Sequence, residues 1–393
     1  MKSVLGKILC LIVVLLCVMS GCGGKGSDTA APKSGGSTAP AGQSAAGTAS
    51  LAGVTETFTG EGPLPMPKVK RDGKLELGWL VEEMTFESYS RDYYQGELEC
   101  KERGWSMYPV LDARTIDKQR DAMEVFIRRD LDAIVINYAQ MESIRDLVLQ
   151  ARNKGIGVYC VDNTLVPGVI ANATQYNGVV GSRMFYYGME RLNGKGKVLF
   201  MNEARPCIFQ ERLYAAEGLL VNCYPGLELV KHELCKDLEE YYTKAVDYIT
   251  KYGKSLKWIY IFADLDGLGA IRAIEQAGFK RDDIFVTGVD GGSQAYAMIR
   301  DGSPLVATMS QPFEQYTHKI FEVIDEVQVK GIIPGSKGST IPGGRTFYFD
   351  SVLTTPENVP PIGSSIHEVF KDTYYNPNDK GAWYFKGDPY KIQ

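Results

Sequence analysis

The sequence predicts an α/β protein built from two similar lobes, each a doubly wound parallel sheet with helices on both faces. Short runs rich in β-branched and aromatic residues alternate with amphipathic stretches along the chain. The short runs are almost continuously apolar, which is typical of strands that helices cover on both faces. The alternation occurs as two successive series, and right-handed crossovers within each series would give one lobe.

The first series contains four predicted strands and three predicted helices. Each strand is too short and too apolar to be an amphipathic helix, and each helix carries apolar residues at helical spacing. In order they are LELGWLV (75–81), a helix near 89–103, SMYPVLD (106–112), a helix near 116–129, DAIVINY (132–138), a helix over Met141–Lys154 and IGVYCVD (156–162).

The second series repeats the same pattern and predicts the second lobe. Its strands are again β-branched or aromatic, and its helices again follow directly after each strand. In order they are KVLFMN (197–202), a helix near 210–222, LELVKHEL (227–234), a helix near 239–252, KWIYIFA (257–263), a helix near 267–277, IFVTGVD (284–290), a helix near 293–301 and LVATMS (305–310).

The N-terminus predicts export from the cytoplasm. Lys2 and Lys7 precede an unbroken apolar run over Ile8–Met19, which is shorter than the about 20 residues that a membrane-spanning helix needs. The small residues before Cys22 resemble a lipobox, so 1–21 is predicted to be a lipoprotein signal peptide. Cys22 would then carry the lipid that anchors the protein to the outer side of a bacterial membrane.

The stretch 22–68 is rich in Gly, Ser, Ala, Thr and Pro, a composition that predicts a flexible tether. The remaining chain is long enough for two domains. The formal net charge is -5, and the chain has no basic cluster of the kind that nucleic-acid binding requires.

No motif predicts an enzyme, a cofactor or a metal. The chain has neither a nucleophile-elbow motif nor a phosphate-binding loop nor a dinucleotide glycine fingerprint. Its histidines, His232, His318 and His367, lie outside metal-ligand spacing. Asp264 and Asp266 are two residues apart in one turn, a poor arrangement for glycoside cleavage by facing carboxylates.

Five cysteines follow the tether, and their odd number and irregular spacing predict free thiols. Cys223 and Cys235 are separated by a predicted strand that is too long for a disulfide. The five are Cys100, Cys160, Cys207, Cys223 and Cys235.

Polar residues follow most of the predicted strands, where ligands bind in open parallel sheets. Each of them could instead cap the following helix. Their convergence between two lobes favours a binding site. They are Glu82, Glu83, Asn137, Tyr138, Asp162, Asn163, Asn202, Glu203, Asp264, Asp266, Asp290, Ser310 and Gln311.

From about Leu75 to Val359, the chain resembles the type I periplasmic binding protein family, in its ribose- and galactose-binding branch. The resemblance is carried by 131–163, by FADLDGLGAIRAIEQAGF (262–279) and by 284–319. It implies two lobes that are joined by a three-strand hinge and close over a sugar. The lobes would be 69–173 plus 312–345 and 174–311 plus 346–362, with a C-terminal extension over 363–393.

The resemblance also implies which residues bind the ligand. Asp162, Arg212, Asp290 and Gln311 match polar ligand-binding positions, and Phe86 with Tyr89 matches a pair of stacking aromatic residues. The chain departs from the family pattern at Asn163, where the family often has Arg, and at Leu265-Asp266, where the family usually has Asn-Asp; Asp264 is an extra acid. Asn163, Asp264 and Asp266 complete the predicted set. Structural roles in place of ligand binding stay open for some of these residues. Arg212 could lie on the surface of a helix, Asp264 and Asp290 could cap helices, and the two aromatic residues could belong to the core of a lobe.

The implied function is a solute-binding lipoprotein that delivers a small polar ligand, with a monosaccharide expected, to an ABC permease. An excess of acidic residues would also suit an amine-bearing ligand. The open alternative is a sensor that presents its closed form to a receptor kinase or a chemoreceptor. A related transcriptional regulator would need a helix-turn-helix where this chain has its signal peptide and tether.

Overall fold

The structure is a computed structural model that describes residues 64–205 and 207–385. Within these ranges the chain forms two α/β lobes, each built around one six-stranded sheet. The predicted signal peptide (1–21), the predicted lipid attachment at Cys22 and most of the predicted tether lie outside the described residues.

The chain builds most of the first lobe, then the second, and then returns to each sheet. The first part contains β1 (Glu76–Val81), α1 (Glu87–Arg103), β2 (Ser106–Val110), α2 (Ile116–Arg128), β3 (Ala133–Asn137), α3 (Arg145–Asn153), β4 (Gly157–Val161) and β5 (Ala171–Gln175). The second contains α4 (Asn177–Arg191), β6 (Gly196–Glu203), α5 (Gln210–Cys223), β7 (Leu227–Cys235), α6 (Leu238–Tyr252), β8 (Leu256–Ile261), α7 (Gly267–Gln276), β9 (Phe285–Asp290), α8 (Ser293–Asp301) and β10 (Leu305–Ser310). The return contains α9 (Phe313–Ile324), β11 (Thr346–Phe349) and β12 (Val352–Thr354).

Both sheets are doubly wound, which confirms the predicted fold class. The first has the strand order β11-β5-β4-β3-β1-β2, and the second β12-β10-β9-β8-β6-β7. Their described pairings are parallel except that β12 runs antiparallel to β10. The direction of winding reverses between β1 and β3 and between β6 and β8, and ligands bind at such switch points.

The apolar strands form the centre of each lobe. Every residue of β3 and β4 is buried, because helices cover both faces of the sheet. The covering helices are amphipathic and turn their apolar side inward, as Met123, Phe126 and Ile127 of α2 do. The predicted strands and helices match the observed bounds within two residues, except that Met141–Ile144 forms a separate 3-10 turn before α3.

The polar strand β5 was absent from the predicted series. Its sequence, ANATQ, has no apolar run, yet all five residues are buried. The side chains are accommodated by hydrogen bonds: Asn172 donates to the carbonyl oxygen of Asn163, and Thr174 donates to Asp162. A pattern search for apolar strands therefore could not find it.

The chain crosses between the lobes three times, and two predicted lobe boundaries were wrong. The first crossing follows Gln175, so the first lobe extends two residues beyond the predicted end at 173. β11 pairs in parallel with β5, so 346–349 belongs to the first lobe and not to the second. The third crossing therefore lies between Phe349 and Val352.

The folded first lobe also begins before the predicted end of the tether at 68. Met66 packs against the core of the lobe. The backbone N–H of Lys68 donates to the carbonyl oxygen of Gly155 at 2.8 Å, and the guanidinium of Arg152 donates to the carbonyl oxygen of Pro65 at 3.1 Å.

The described part of the C-terminal extension, 363–385, packs on both lobes. Ile366 clusters with Tyr296 of α8 in the second lobe. Trp383 stacks on His318 of α9 in the first lobe, with ring centroids 4.8 Å apart. The extension therefore lies across the two lobes.

The five cysteines of the described residues are free thiols, as predicted, and three of them are buried. Across the described residues, no helix combines the length and the apolar character that crossing a membrane requires.

Candidate functional site

A cavity of about 40 Å³, called here the central cavity, lies between the lobes at the carboxyl ends of the strands. It holds only a few water molecules. A larger ligand therefore enters only if the lobes part or the lining side chains move. The lining residues are Phe86, Ser88, Tyr89, Tyr138, Asp162, Glu203, Arg205, Phe209, Arg212, Phe262, Ala263, Asp266, Asp290 and Phe313.

Aromatic rings form one wall of the central cavity. Tyr89 of α1 stacks on Tyr138, which follows β3, with centroids 5.4 Å apart. Tyr138 stacks in turn on Phe209 of the second lobe at 5.2 Å, so the stack crosses the cleft. Phe86 packs beside Tyr89 at 5.5 Å. Flat apolar faces of this kind can pack on the C–H faces of a sugar ring when the lobes part and a face of the stack becomes free.

Arg212 lines the central cavity beside Phe209 and is held by hydrogen bonds. It lies in the first turn of α5 and is only 1% exposed. Its Nε donates to Asn177 Oδ1 at 2.8 Å, and one terminal nitrogen donates to the carbonyl oxygen of Phe262 at 2.7 Å. The same nitrogen lies 3.5 Å from Asp290 Oδ1. This geometry excludes the alternative of a surface arginine.

Asp290 ends β9 with a φ of 122°, in a backbone region that L residues rarely adopt. Gln311 Nε2 donates a hydrogen bond to Asp290 Oδ1 at 2.7 Å and so helps to orient the Asp290 carboxylate, which lines the cavity. Burial raises the pKa of Asp290 to about 6, although Arg212 opposes that increase. The carboxylate therefore stays mostly ionised at neutral pH and can accept hydrogen bonds from hydroxyl groups.

Two more residues at strand ends have positive φ. Tyr138 has a φ of 58° and Asp162 a φ of 51°. Thr174 donates a hydrogen bond to the Asp162 carboxylate. Burial raises the pKa of Asp162, and Arg212 opposes the increase. Non-glycine residues in this conformation cluster at binding sites, where surrounding structure imposes the strain.

Arg205 joins the two lobes across the cleft. Its guanidinium pairs with Glu82 of the first lobe and lies 3.2 Å from Glu203 Oε2 of the second. It also lies over the Tyr138 ring, 5.7 Å from the centroid. Burial raises the pKa of Glu82, and Arg205 opposes that change.

A second polar contact also joins the lobes. The carboxylate of Glu87 in α1 accepts hydrogen bonds from the backbone N–H of Ser293, at 2.9 and 3.1 Å, and from its hydroxyl at 2.6 Å. A negative charge at the N-terminus of α8 is favourable because the helix dipole is positive there. The structure therefore describes lobes that are closed against each other.

The structure brings six of the nine predicted ligand-binding residues to the central cavity. These six are Phe86, Tyr89, Asp162, Arg212, Asp266 and Asp290. The other three, Asn163, Asp264 and Gln311, are absent from its lining. The carbonyl oxygen of Asn163 accepts a hydrogen bond from the side-chain amide of Asn172, and the side-chain amide of Gln311 donates a hydrogen bond to Asp290. Asp264 Oδ2 accepts from the backbone N–H of Gly291 and from the Thr308 hydroxyl, so Asp264 supports the turn after β9.

Several lining residues were not in the predicted set. Tyr138 and Glu203 are among the residues that the sequence places at strand ends. Position at a strand end would also have identified Phe262, which follows β8. Phe209, Phe313 and Arg205 lie in or beside loops. Only the packing of the two lobes brings them to the cavity.

The described residues contain no group of three or more His, Cys, Asp or Glu side chains placed to hold a metal ion.

Comparison with known proteins agrees with this fold. A family model described as "Periplasmic binding protein domain" matches residues 90–330, which is more than half of the chain. A xylitol-binding protein of Mycolicibacterium smegmatis is 22% identical over 191 residues, 48% of this chain and 54% of that protein. The chain thus spans about half the length of that relative. The ribose import binding protein of Bacillus subtilis is 25% identical over 59% of this chain and 74% of its own length.

Solved structures share the two-lobe fold at low identity. A galactofuranose binding protein has a TM-score of 0.65 and 18% identity, covering 76% of this chain and 98% of its own. A solute binding protein of an ABC transporter from Bacillus halodurans, with bound myo-inositol, has a TM-score of 0.64 and 22% identity. That match covers 73% of this chain and 96% of the other.

Proposed function

Because this chain belongs to the periplasmic binding protein domain family, we propose that it is a solute-binding protein outside the cytoplasm. It captures a small polar ligand, with monosaccharides as the first class to test, and delivers it to an ABC permease. Members of this family act as binding proteins and not as enzymes, and we extend that role to this chain.

The observation that carries the proposal is the composition of the central cavity. Both lobes contribute to it, and its lining combines aromatic rings with an oriented arginine and carboxylates. Carboxylates accept hydrogen bonds from hydroxyl groups, and a guanidinium donates to oxygens. A hydroxylated ring meets both kinds of partner at once, and hinge closure brings them together.

A lipid on Cys22 would keep the protein at the membrane where its permease lies. This part of the proposal depends on the sequence Ser20-Gly21-Cys22 after the apolar run. It predicts that Cys22→Ala shifts the protein from the membrane fraction to the soluble fraction of cells. Unchanged membrane association of that variant would contradict lipid anchoring.

Calorimetric titration of the full chain with monosaccharides and polyols tests the capture function. We expect at least one of them to bind, and Asp290→Asn to weaken that binding by about tenfold to a hundredfold, the typical effect of losing a hydrogen bond to a charged group. Asp282→Asn is the matched control, since its carboxylate is 91% exposed and remote from the cavity. Equal affinities in both variants would contradict the proposed site.

A further inference from the structure

Asp266 is a buried carboxylate without a hydrogen-bond donor among the described residues. It lies between β8 and α7, is 8% exposed and lines the central cavity. Its neighbour Asp264 accepts two hydrogen bonds through Oδ2, and the other oxygen of Asp264, Oδ1, is buried without a partner outside the central cavity. A buried polar group with no partner is costly, so the cavity at Asp266 is suited to a group that a ligand brings.

The charges around Asp266 are predominantly negative. Burial raises its pKa well above the usual value, and the carboxylates of Glu203 and Asp290 raise it further. Arg205 opposes this increase with a smaller effect. That guanidinium already pairs with Glu82 and Glu203.

The second arginine of the cavity does not compensate Asp266 either. Arg212 donates to Asn177 and to the Phe262 carbonyl oxygen, and it approaches Asp290. The cavity lining thus contains more carboxylates than guanidinium groups. The carboxylates are Asp162, Glu203, Asp266 and Asp290, and the arginines are Arg205 and Arg212.

We propose that the ligand carries a cationic amine on a hydroxylated body, as an amino sugar does, and that Asp266 receives the amine. This inference rests on the proposed function and names the ligand class of the same site. A neutral hydroxyl could donate to an ionised Asp266 but would not neutralise the charge of that carboxylate. An ammonium group supplies both hydrogen-bond donors and the opposite charge, so it stabilises the ionised form of Asp266 against the burial that raises the pKa of this carboxyl.

The aromatic wall suits the same ligand. Tyr138 already has a guanidinium over its ring, and Phe209 has the Arg212 guanidinium 4.6 Å from its centroid. Such rings attract cations through their negative faces, and the same faces pack on apolar C–H groups once the stack of Tyr89, Tyr138 and Phe209 opens. A neutral monosaccharide is the rival ligand, and Asp266 would then be protonated in the complex.

Calorimetry on the full chain separates the two ligand classes. The probes are glucosamine and galactosamine, compared with glucose, galactose and N-acetylglucosamine, in which the charged amine is absent. We expect an amino sugar to bind about tenfold or more tightly than its neutral partner, and Asp266→Asn to remove that difference. Asp266→Glu keeps the charge and should preserve the preference, and Asp282→Asn is the control for a lost surface charge.

Equal binding of amino and neutral sugars, or a preference that survives Asp266→Asn, would overturn the amine assignment and leave the proposed capture of sugars intact. Failure of every sugar in both classes to bind folded protein would overturn the proposed function together with this inference. The two failures are therefore distinguishable in one set of titrations.

Discussion

Asp264 and Asp266 are two residues apart, yet their side chains have different environments. The Asp264 carboxylate supports the turn after β9, through the backbone N–H of Gly291 and the hydroxyl of Thr308. Asp266 faces the central cavity. Sequence alone treated both as candidate ligands, because the direction of each side chain depends on the turn between β8 and α7.

We predict that Asp264→Ala destabilises the second lobe. The substitution removes the acceptor that the Thr308 hydroxyl and the Gly291 N–H share. The Gly291 N–H keeps its 3.2 Å hydrogen bond to the Thr308 oxygen, so the Thr308 hydroxyl is the donor that loses its acceptor, at a cost of about 1–3 kcal/mol. Urea unfolding should therefore show a free energy of unfolding lower by about 1–3 kcal/mol, whereas the exposed control Asp282→Ala should change it by less than about 0.5 kcal/mol. Normal stability with lost sugar binding would instead identify Asp264 as a ligand contact.

The helix pair α4 and α5 places Arg212 in the site. Gly181 lies in α4, and a Cβ atom at that position would lie 1.8 Å from the backbone oxygen of Arg212. Only glycine permits this approach, because a backbone oxygen cannot rotate away as a flexible side chain can. The sequence of α4 does not show that Gly181 must be glycine, because the close approach of α5 at this position is a tertiary contact.

We predict that Gly181→Ala forces α4 and α5 apart and lowers stability by about 1–3 kcal/mol, the usual cost of overpacking. Because Arg212 moves with α5, sugar affinity should fall as well. Gly178→Ala is the matched control in the same helix, since its nearest neighbour would be the Cβ of Ala215 at 3.9 Å. That variant should lose no stability, because alanine favours helix over glycine by about 1 kcal/mol. Similar unfolding curves for the two variants would contradict this account.

The C-terminal extension contacts both lobes. Trp383 stacks on His318 of the first lobe, and Ile366 packs with Tyr296 of the second. The His318 ring also bonds to Glu99 of α1 at 2.7 Å and lies 3.6 Å from Glu322. Burial lowers the pKa of His318, but the hydrogen bonds with Glu322 and Glu99 outweigh that effect and raise it to about 9.

The interaction of His318 with Glu99 and Glu322 makes the stability of the whole molecule depend on pH. Between about 6.5 and 9 the folded state keeps a proton on His318 that the unfolded chain has lost, so the free energy of unfolding falls as pH rises through that window. The facing charged groups are Glu99, Glu322, Lys319 and Arg103. We predict that His318→Gln destabilises the protein by on the order of 1–3 kcal/mol at pH 6.5 and flattens this slope. Urea unfolding across the window measures both effects, and an unchanged slope would refute the assignment.

At the scale of the whole molecule, the two series of apolar runs were sufficient to predict two doubly wound lobes. The strand ends identified the edge of each sheet where the site lies, and the resemblance supplied Asp162, Arg212 and Asp290. The predicted end of the first lobe at 173 was wrong because β5 is polar and its burial depends on hydrogen bonds with residues distant in sequence. The predicted assignment of 346–349 to the second lobe was wrong because β11 has only four residues and pairs with β5 of the first lobe.

The sequence by itself determined the fold class, the order of most elements and the end of the sheets at which the candidate site lies. These properties follow from hydrophobic periodicity, which is local along the chain. The tertiary structure decided that Arg205 bridges Glu82 and Glu203, that Tyr138 and Phe209 stack across the cleft, and that Asp266 and not Asp264 lines the cavity. Those contacts depend on backbone torsions at strand ends and on the closure of one lobe against the other, and neither leaves a periodic pattern in the sequence.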